Sequence, residues 1–262
     1  MTIKTTIQKT AALLSLIAIA APAYAVDRFT PVDTWDWQLT APTNFNVAIK
    51  VLDAHPDLMT PTAMASLKKR GVRAICYVSV GTIEDTSPDL ASFPKVVIGK
   101  RYAEWPQERF LDVRNLKLLL PLMKARFESC KKQGFGSIEP DNMDVYVNDS
   151  GFAITQAQTL TYVKALADTA HKLGLAIGQK NVPEMTKSLI ASMDFAVTES
   201  CYQDGWCADM APYIRANKAV FDAEYNDLPL DFTKACLAAK TQRLSMIVKD
   251  RDLTKKLKMC PK

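Results

Sequence analysis

From Trp35 onward, short β-rich runs alternate with segments whose apolar residues recur at helical spacing, and this alternation constrains the fold more than any other feature. A strand, a helix and a second strand return the chain to the same end of a sheet, so repetition produces parallel strands covered by helices. The candidate strands are Thr34–Leu39, Val47–Leu52, Val72–Ser79, Arg109–Val113, Ser137–Pro140, Leu175–Gln179, Phe195–Thr198, Ala219–Ala223 and Ser245–Val248. Between them, Met64–Lys69, Leu116–Lys132, Gln156–Leu173, Pro183–Ser192 and Phe232–Leu244 carry apolar residues at i, i+3, i+4 and i+7, as one-sided helices require. Gly71, Gly134 and Gly174 each end a basic stretch just before a strand, the usual helix stop. No GxGxxG or GxxxxGK(S/T) loop follows a strand, so the pattern predicts one α/β domain folded as a TIM-like (β/α)8 barrel rather than a doubly wound sheet. The nine candidate strands exceed the eight of such a barrel by one.

Residues 1–25 have Lys4 and Lys9, no acid, an apolar run from Ala11 to Ala21, and the small-residue pattern Ala23-Tyr24-Ala25. This predicts an export signal cleaved near Ala25, leaving a barrel domain over 26–262 in the periplasm or outside the cell. The run is shorter than the roughly 20 residues that span a bilayer, so no membrane span is expected. Loss of the two lysines takes the net charge from +5 to +3. Basic residues interleave with no aromatic cluster outside the tail from Lys249, so no nucleic-acid partner is expected.

An oxidising destination makes disulfides plausible for the six cysteines. Cys201 and Cys207 close a short loop around Gly205, and Cys236 with Cys260 ties the last helix to the tail, so these two pairs are expected. Cys76, inside an apolar run, reads as a small buried hydrophobe, and Cys130 is left open. With no CxxC pair and no ligand spacing around His55 or His171, no metal and no cofactor is expected.

Polar residues gather where the candidate strands end: Asp53, Glu84, Asp112, Glu139 with Asp141, Lys180 with Asn181, Glu199 and Glu224. In a parallel barrel these ends share one rim, so residues far apart in sequence converge on one pocket, although a single such acid is more often a helix cap. Carboxylates near the aromatics Trp35, Trp37, Tyr77, Trp105 and Tyr146 suit glycoside cleavage, in which one carboxyl protonates the leaving oxygen and another attacks or stabilises the sugar. A Ser-His-Asp triad is disfavoured because no GxSxG surrounds any serine. The Asp- and Asn-rich stretch 141–151 places its glycine at the wrong offset for a calcium loop, and Asn148-Asp149-Ser150 is a glycosylation sequon.

Trp35-Asp36-Trp37-Gln38-Leu39, Ile75-Cys76-Tyr77-Val78-Ser79, Trp105-Pro106 and Leu111-Asp112-Val113-Arg114 resemble segments of glycoside hydrolase family 114. The most specific block is Ile138-Glu139-Pro140-Asp141-Asn142 with Asp144, Tyr146 and Asn148-Asp149, followed by Lys180-Asn181, Glu199 with Cys201, and Glu224-Tyr225. The resemblance implies a TIM barrel that hydrolyses internal links of α-1,4-galactosamine polymers with retention, with a galactosamine-rich polysaccharide as its partner. It places the catalytic roles on Asp141, as nucleophile, and Glu199, as general acid/base, with Glu139 a rival to Asp141 because strand alternation puts both on one side. Trp35, Gln38, Asp53, Tyr77, Asp112, Glu139, Asn142, Tyr146, Lys180, Asn181 and Glu224 are the expected substrate-binding residues, with Asp53, Asp112 and Glu224 facing the sugar ammonium groups. Two positions depart from the family pattern: Thr198 stands where Asn is common and is expected to change a sugar contact, and Asp222 occupies a variable place. A polysaccharide-binding barrel without catalysis, and a hydrolase of another α-linked sugar, are the competing readings.

Overall fold

Runs of buried β-branched and aromatic residues become strands where helices or the barrel interior cover both faces. The computed structural model describes residue 1 and residues 26–261, so the expected signal falls almost wholly outside the described residues. In chain order the elements are β1 (Trp35–Gln38), β2 (Val51–Ala54), α1 (Pro61–Lys69), β3 (Arg73–Ser79), β4 (Thr82–Glu84), β5 (Ile98–Arg101), β6 (Glu108–Leu111), α2 (Leu116–Gln133) and β7 (Ser137–Asp141). There follow α3 (Gln156–Lys172), β8 (Ala176–Lys180), α4 (Thr186–Leu189), β9 (Phe195–Glu199), α5 (Ala211–Arg215), β10 (Val220–Tyr225), α6 (Phe232–Gln242), β11 (Ser245–Lys249) and β12 (Lys258–Met259).

The strands β1, β2, β3, β7, β8, β9, β10 and β11 lie side by side in that order and pair in parallel, with β12 antiparallel on β11. The sheet curls into a single-domain, TIM-like barrel. Its first strand β1 and its last parallel strand β11 meet through side chains: Trp35 Nε1 donates to the Ser245 carbonyl at 2.6 Å, and the buried Lys249 Nζ reaches Asp36 Oδ1 at 2.7 Å.

One face of each strand fills the barrel, where Trp35, Trp37, Val51, Ile75, Phe195, Phe221 and Ile247 pack together. The other face packs on the helices through residues such as Leu52, Cys76, Phe127, Leu166 and Met246. Gly178 makes room for this interior, since a Cβ there would lie 2.5 Å from the Phe195 ring. Among the described residues no helix is long and apolar enough to cross a membrane.

The candidate strand in excess of eight is Arg109–Val113, which is not in the barrel. It becomes β6 of a separate antiparallel sheet ordered β4-β6-β5, because the excursion between β3 and α2 supplies its own pairing partners. The second strand begins and ends later than expected, so Asp53 lies inside β2, opposite Trp37 and Ile75, and not beyond its end.

The expected bridges Cys201–Cys207 and Cys236–Cys260 form, but Cys76 corrects the reading as a lone hydrophobe: it pairs with Cys130. Cys76 sits on the helix-facing side of β3, and the buried stripe of α2 brings Cys130 opposite, with Cα atoms 6.1 Å apart. Closing a loop of 54 residues, this bridge should stabilise the fold by about 4 kcal/mol through the unfolded chain. Urea unfolding of the Cys76→Ala, Cys130→Ala double variant measures that loss; a change under about 1 kcal/mol would mean that loop closure is not what the bridge contributes.

Candidate active site

Strand alternation puts Trp37, Tyr77, Glu139, Asp141, Lys180, Glu199 and Tyr225 on the inner face as each strand nears its C-terminal end. All but Glu139 line one cleft of about 690 Å³. Its hub is Lys180, 2% exposed, whose Nζ lies 3.0 Å from Glu139 Oε1, 3.0 Å from Asp141 Oδ1 and 3.2 Å from Glu199 Oε2. The Lys180 ammonium also rests 4.4 Å from the centroid of a Trp37 ring.

Each of the two expected catalytic carboxylates has a tyrosine of its own. Tyr77 Oη donates to Asp141 Oδ2 at 2.7 Å, and Tyr225 Oη donates to Glu199 Oε1. Burial, and then the adjoining carboxylate, push both phenols well above their usual range, so they stay neutral donors. Asn181 fixes Glu199 twice: its Nδ2 donates to Oε2 at 3.0 Å, and its Oδ1 accepts from the Glu199 N–H at 2.9 Å.

Burial pulls the Lys180 ammonium down, yet Asp141, Glu139 and Glu199 together hold it well above the usual lysine value. Burial likewise raises Asp141, but Lys180 and the Tyr77 hydroxyl outweigh it and hold this carboxyl below its ordinary value. Asp141 is thus an anion at neutral pH in a half-buried position on the cleft wall, the condition that a carboxylate nucleophile needs.

The loop after Asp141 is fixed from the small antiparallel sheet. Asn142, at φ 61°, donates from Nδ2 to Ser79 Oγ and Thr82 Oγ1, both at 3.0 Å, and to Glu108 Oε2 at 3.4 Å. Gly81 permits this approach, since a Cβ there would lie 1.8 Å from the Asn142 carbonyl oxygen. Thr82 Oγ1 also donates to Glu108, whose carboxyl is pushed up to about 7 by burial, with Thr82 opposing.

That shift has a direct consequence for stability. The folded chain keeps a proton that the unfolded chain releases in the ordinary carboxylate range, so this contribution is full below about pH 4 and is lost as pH rises through about 7. Glu108→Gln keeps an acceptor for Thr82 and Asn142 without the charge. Its melting temperature should therefore decline less than that of the native chain from about pH 5 to about pH 9; parallel curves from both proteins would show that Glu108 does not carry the dependence.

Other expected site residues lie elsewhere. Trp35 is in the barrel core below the cleft. Gln38 faces outward, bonding Asp36 Oδ2 and the backbone of Asn44. Asp53 is wholly buried below the cleft, and Asp112 is paired with Arg114. The hydroxyl of Tyr146 donates to Glu184. Glu224 faces away from the barrel interior and accepts from the N–H groups of Tyr202 and Gln203, at 2.7 and 3.0 Å, at the turn after β9. None of Asp53, Asp112 and Glu224 lines the cleft. The acids that line it beside Asp141 and Glu199 are Glu84, Glu104, Glu108, Asp144, Asp204 and Asp252, so eight carboxyls face two cations, Lys180 and Arg251.

Thr198 is also buried and does not line the cleft: its Oγ1 donates to Asp222 Oδ1 at 2.7 Å. The two departures from the family pattern are therefore partners of one another. Among the described residues, one cluster combines metal-ligating types, Cys201, Cys207, Asp222 and Glu224, but its two sulfurs are bonded to each other and offer no thiolate. Trp37 and Trp105, expected among the pocket's aromatics, line the cleft, whereas sequence reasoning missed Tyr225, Tyr102 and Arg251 as cleft residues. The available signal was alternation, since Phe221, Ala223 and Tyr225 share one side of β10 while Asp222 and Glu224 share the other.

Two carboxylates joined through one lysine at the C-terminal rim of a barrel are the apparatus of a glycoside hydrolase. The chain belongs to glycoside-hydrolase family GH114, whose sequence model matches residues 18–262. Among solved structures it is similar to Aspergillus fumigatus Ega3 in complex with galactosamine, at 28% identity and a TM-score of 0.83, covering 90% of this chain and 98% of that one. The glycoside hydrolase domain of PelA from Pseudomonas aeruginosa shares the fold at 14% identity and a TM-score of 0.65, over 86% of this chain and 97% of that domain. No curated protein matches the sequence.

Proposed function

We propose that this chain is an exported, endo-acting hydrolase that cleaves α-1,4-galactosaminide links in a galactosamine-containing polysaccharide with retention of configuration. The observation that carries this reading is the shared contact of Asp141 and Glu199 with Lys180. Their nearest oxygens are no farther apart than those two contacts laid end to end, about 6 Å, which favours the closer spacing of retaining enzymes.

In the first step an Asp141 oxygen bonds to the anomeric carbon as the glycosidic bond breaks, and Glu199 gives its proton to the departing oxygen. In the second, the Glu199 carboxylate takes a proton from water, the water oxygen bonds to the same carbon, and Asp141 is released. Lys180 and Tyr77 set the geometry and charge of the nucleophile throughout. The acid-lined walls favour a sugar bearing an ammonium group, and Tyr102 and the half-exposed Trp105 offer aromatic faces to neighbouring sugars. The galactosamine bound by Ega3 supports the same sugar. The signal-like residues 1–25 and three disulfides support an oxidising, external location.

Incubating residues 26–262 with partly deacetylated α-1,4-linked galactosamine polymer tests this reading. Shortened oligomers whose first-formed ends keep the α configuration are expected, read by product sizing and proton NMR. Binding without shortening would overturn the hydrolase reading in favour of a binding barrel, β ends would overturn retention, and no interaction would overturn the choice of sugar.

A further inference from the structure

Asp53 has no exposed surface, and among the described residues neither of its carboxyl oxygens meets an N–H or O–H donor. Its neighbour is Glu139, equally buried, whose Oε1 takes Lys180 at 3.0 Å while its Oε2 has no donor. The two buried carboxyls nevertheless act directly on one another. A hydrogen bond between them exists only if one of them carries a proton, and two bare carboxylates side by side in a dry interior would repel strongly.

We propose that Asp53 is a protonated carboxylic acid that donates to Glu139 Oε2 and is thereby a positioning residue for Lys180. The proton belongs on Asp53 because Glu139 has the ammonium beside it and Asp53 does not: the ion pairs of Lys180 run to Glu139, Asp141 and Glu199. Burial, then the charge of Glu139, raise the Asp53 carboxyl well above its ordinary value, with Lys180 opposing and Asp141 adding to the rise. Glu139 is then satisfied at both oxygens; burial pushes its carboxyl up to about 7, with Lys180 and Asp53 opposing, so above that pH it is the anion that anchors the lysine alongside Asp141 and Glu199. Without that donor Glu139 takes up a proton, Lys180 loses its lower anchor, and the two catalytic carboxylates lose the cation that spaces them.

The inference rests on the proposed hydrolase reading for its effect on turnover, but the proton itself can be observed without substrate. In infrared difference spectra of Asp53→Asn against the native chain at about pH 8, the protonated-carboxyl C=O stretch should disappear, a group that ordinary carboxylates would have lost by that pH. A spectrum lacking that band in the native chain overturns the proposal whatever the enzyme cleaves. On the polymer, Asp53→Leu should lower kcat about 10–100-fold with little change in KM, the cost of a slightly displaced reacting group. Asp53→Asn, which restores a donor to Glu139, should recover most of that loss. If Asn is as damaging as Leu while the Asn variant melts like the native protein, the residue acts by its charge and the proposal fails.

Discussion

Asp141→Asn should abolish cleavage of the polymer, lowering kcat/KM by at least about 10⁴-fold, because the amide cannot form the glycosyl-enzyme bond. Glu199→Gln should cost about 10²–10⁴-fold, the usual worth of a positioned proton donor, and should be relieved by substrates whose leaving group needs no proton. Both substitutions preserve shape, and each leaves acceptors for its tyrosine, so folding should be retained. The contrast between them assigns the roles. An activated aryl galactosaminide should restore turnover in the Glu199 variant and leave the Asp141 variant inactive; rescue of Asp141→Asn instead would exchange the two assignments.

Lys180→Met has the second-largest expected effect, and it falls on stability as well as on chemistry. Methionine fills the space but leaves Glu139, Asp141 and Glu199 without their common cation in a site where Glu139 has no exposure at all. Removing one partner of a buried ionic cluster costs about 3–5 kcal/mol. The sign with pH follows from Asp141, whose carboxyl Lys180 holds below its ordinary value against the pull of burial. In the native chain its contribution is present above the ordinary carboxylate range and is lost as pH falls through the depressed value. In the methionine variant burial dominates, so the carboxyl titrates higher. The acid limb of kcat/KM should move to higher pH, and the loss of stability should be greatest at neutral pH and shrink on acidification. A pH profile with an unchanged acid limb would show that the lysine does not set the nucleophile's charge.

Much of this arrangement was legible in the alternation of β-rich and helical segments, because burial on both faces of a parallel strand writes itself as an unbroken apolar run. The convergence of Asp141, Lys180, Asn181 and Glu199 followed from the shared rim of parallel strands. What was not legible depended on a shift of one or two residues. Glu224 and Tyr225 are neighbours in sequence, yet a pleated strand sends them to opposite faces, so the tyrosine meets Glu199 while the glutamate binds the turn after β9. Asp53 was expected past a strand end and lies within one, opposite Trp37, which turns an assumed sugar ligand into a group sealed below the cleft. Thr198 with Asp222 and Cys76 with Cys130 are long-range partners, and a single chain read in order carries no mark of which distant residue will face which. The segment after Arg109 was a true strand assigned to the wrong sheet, because local pattern specifies extension but not the neighbour.

The seam between β1 and β11 sets where this cylinder is weakest. Seven of its junctions are backbone ladders; the eighth relies on an indole bonded to a carbonyl, an ammonium bonded to a carboxylate, and the Leu39 N–H bonded to the Leu253 carbonyl just beyond the two strands. Ladders fray residue by residue, whereas a few separate rivets release together, so breathing of the wall should concentrate along this line. Trp37 follows Asp36 directly on that border strand and carries the floor against which Lys180 rests. Parting of the seam would therefore loosen the Lys180 hub before the rest of the structure yields.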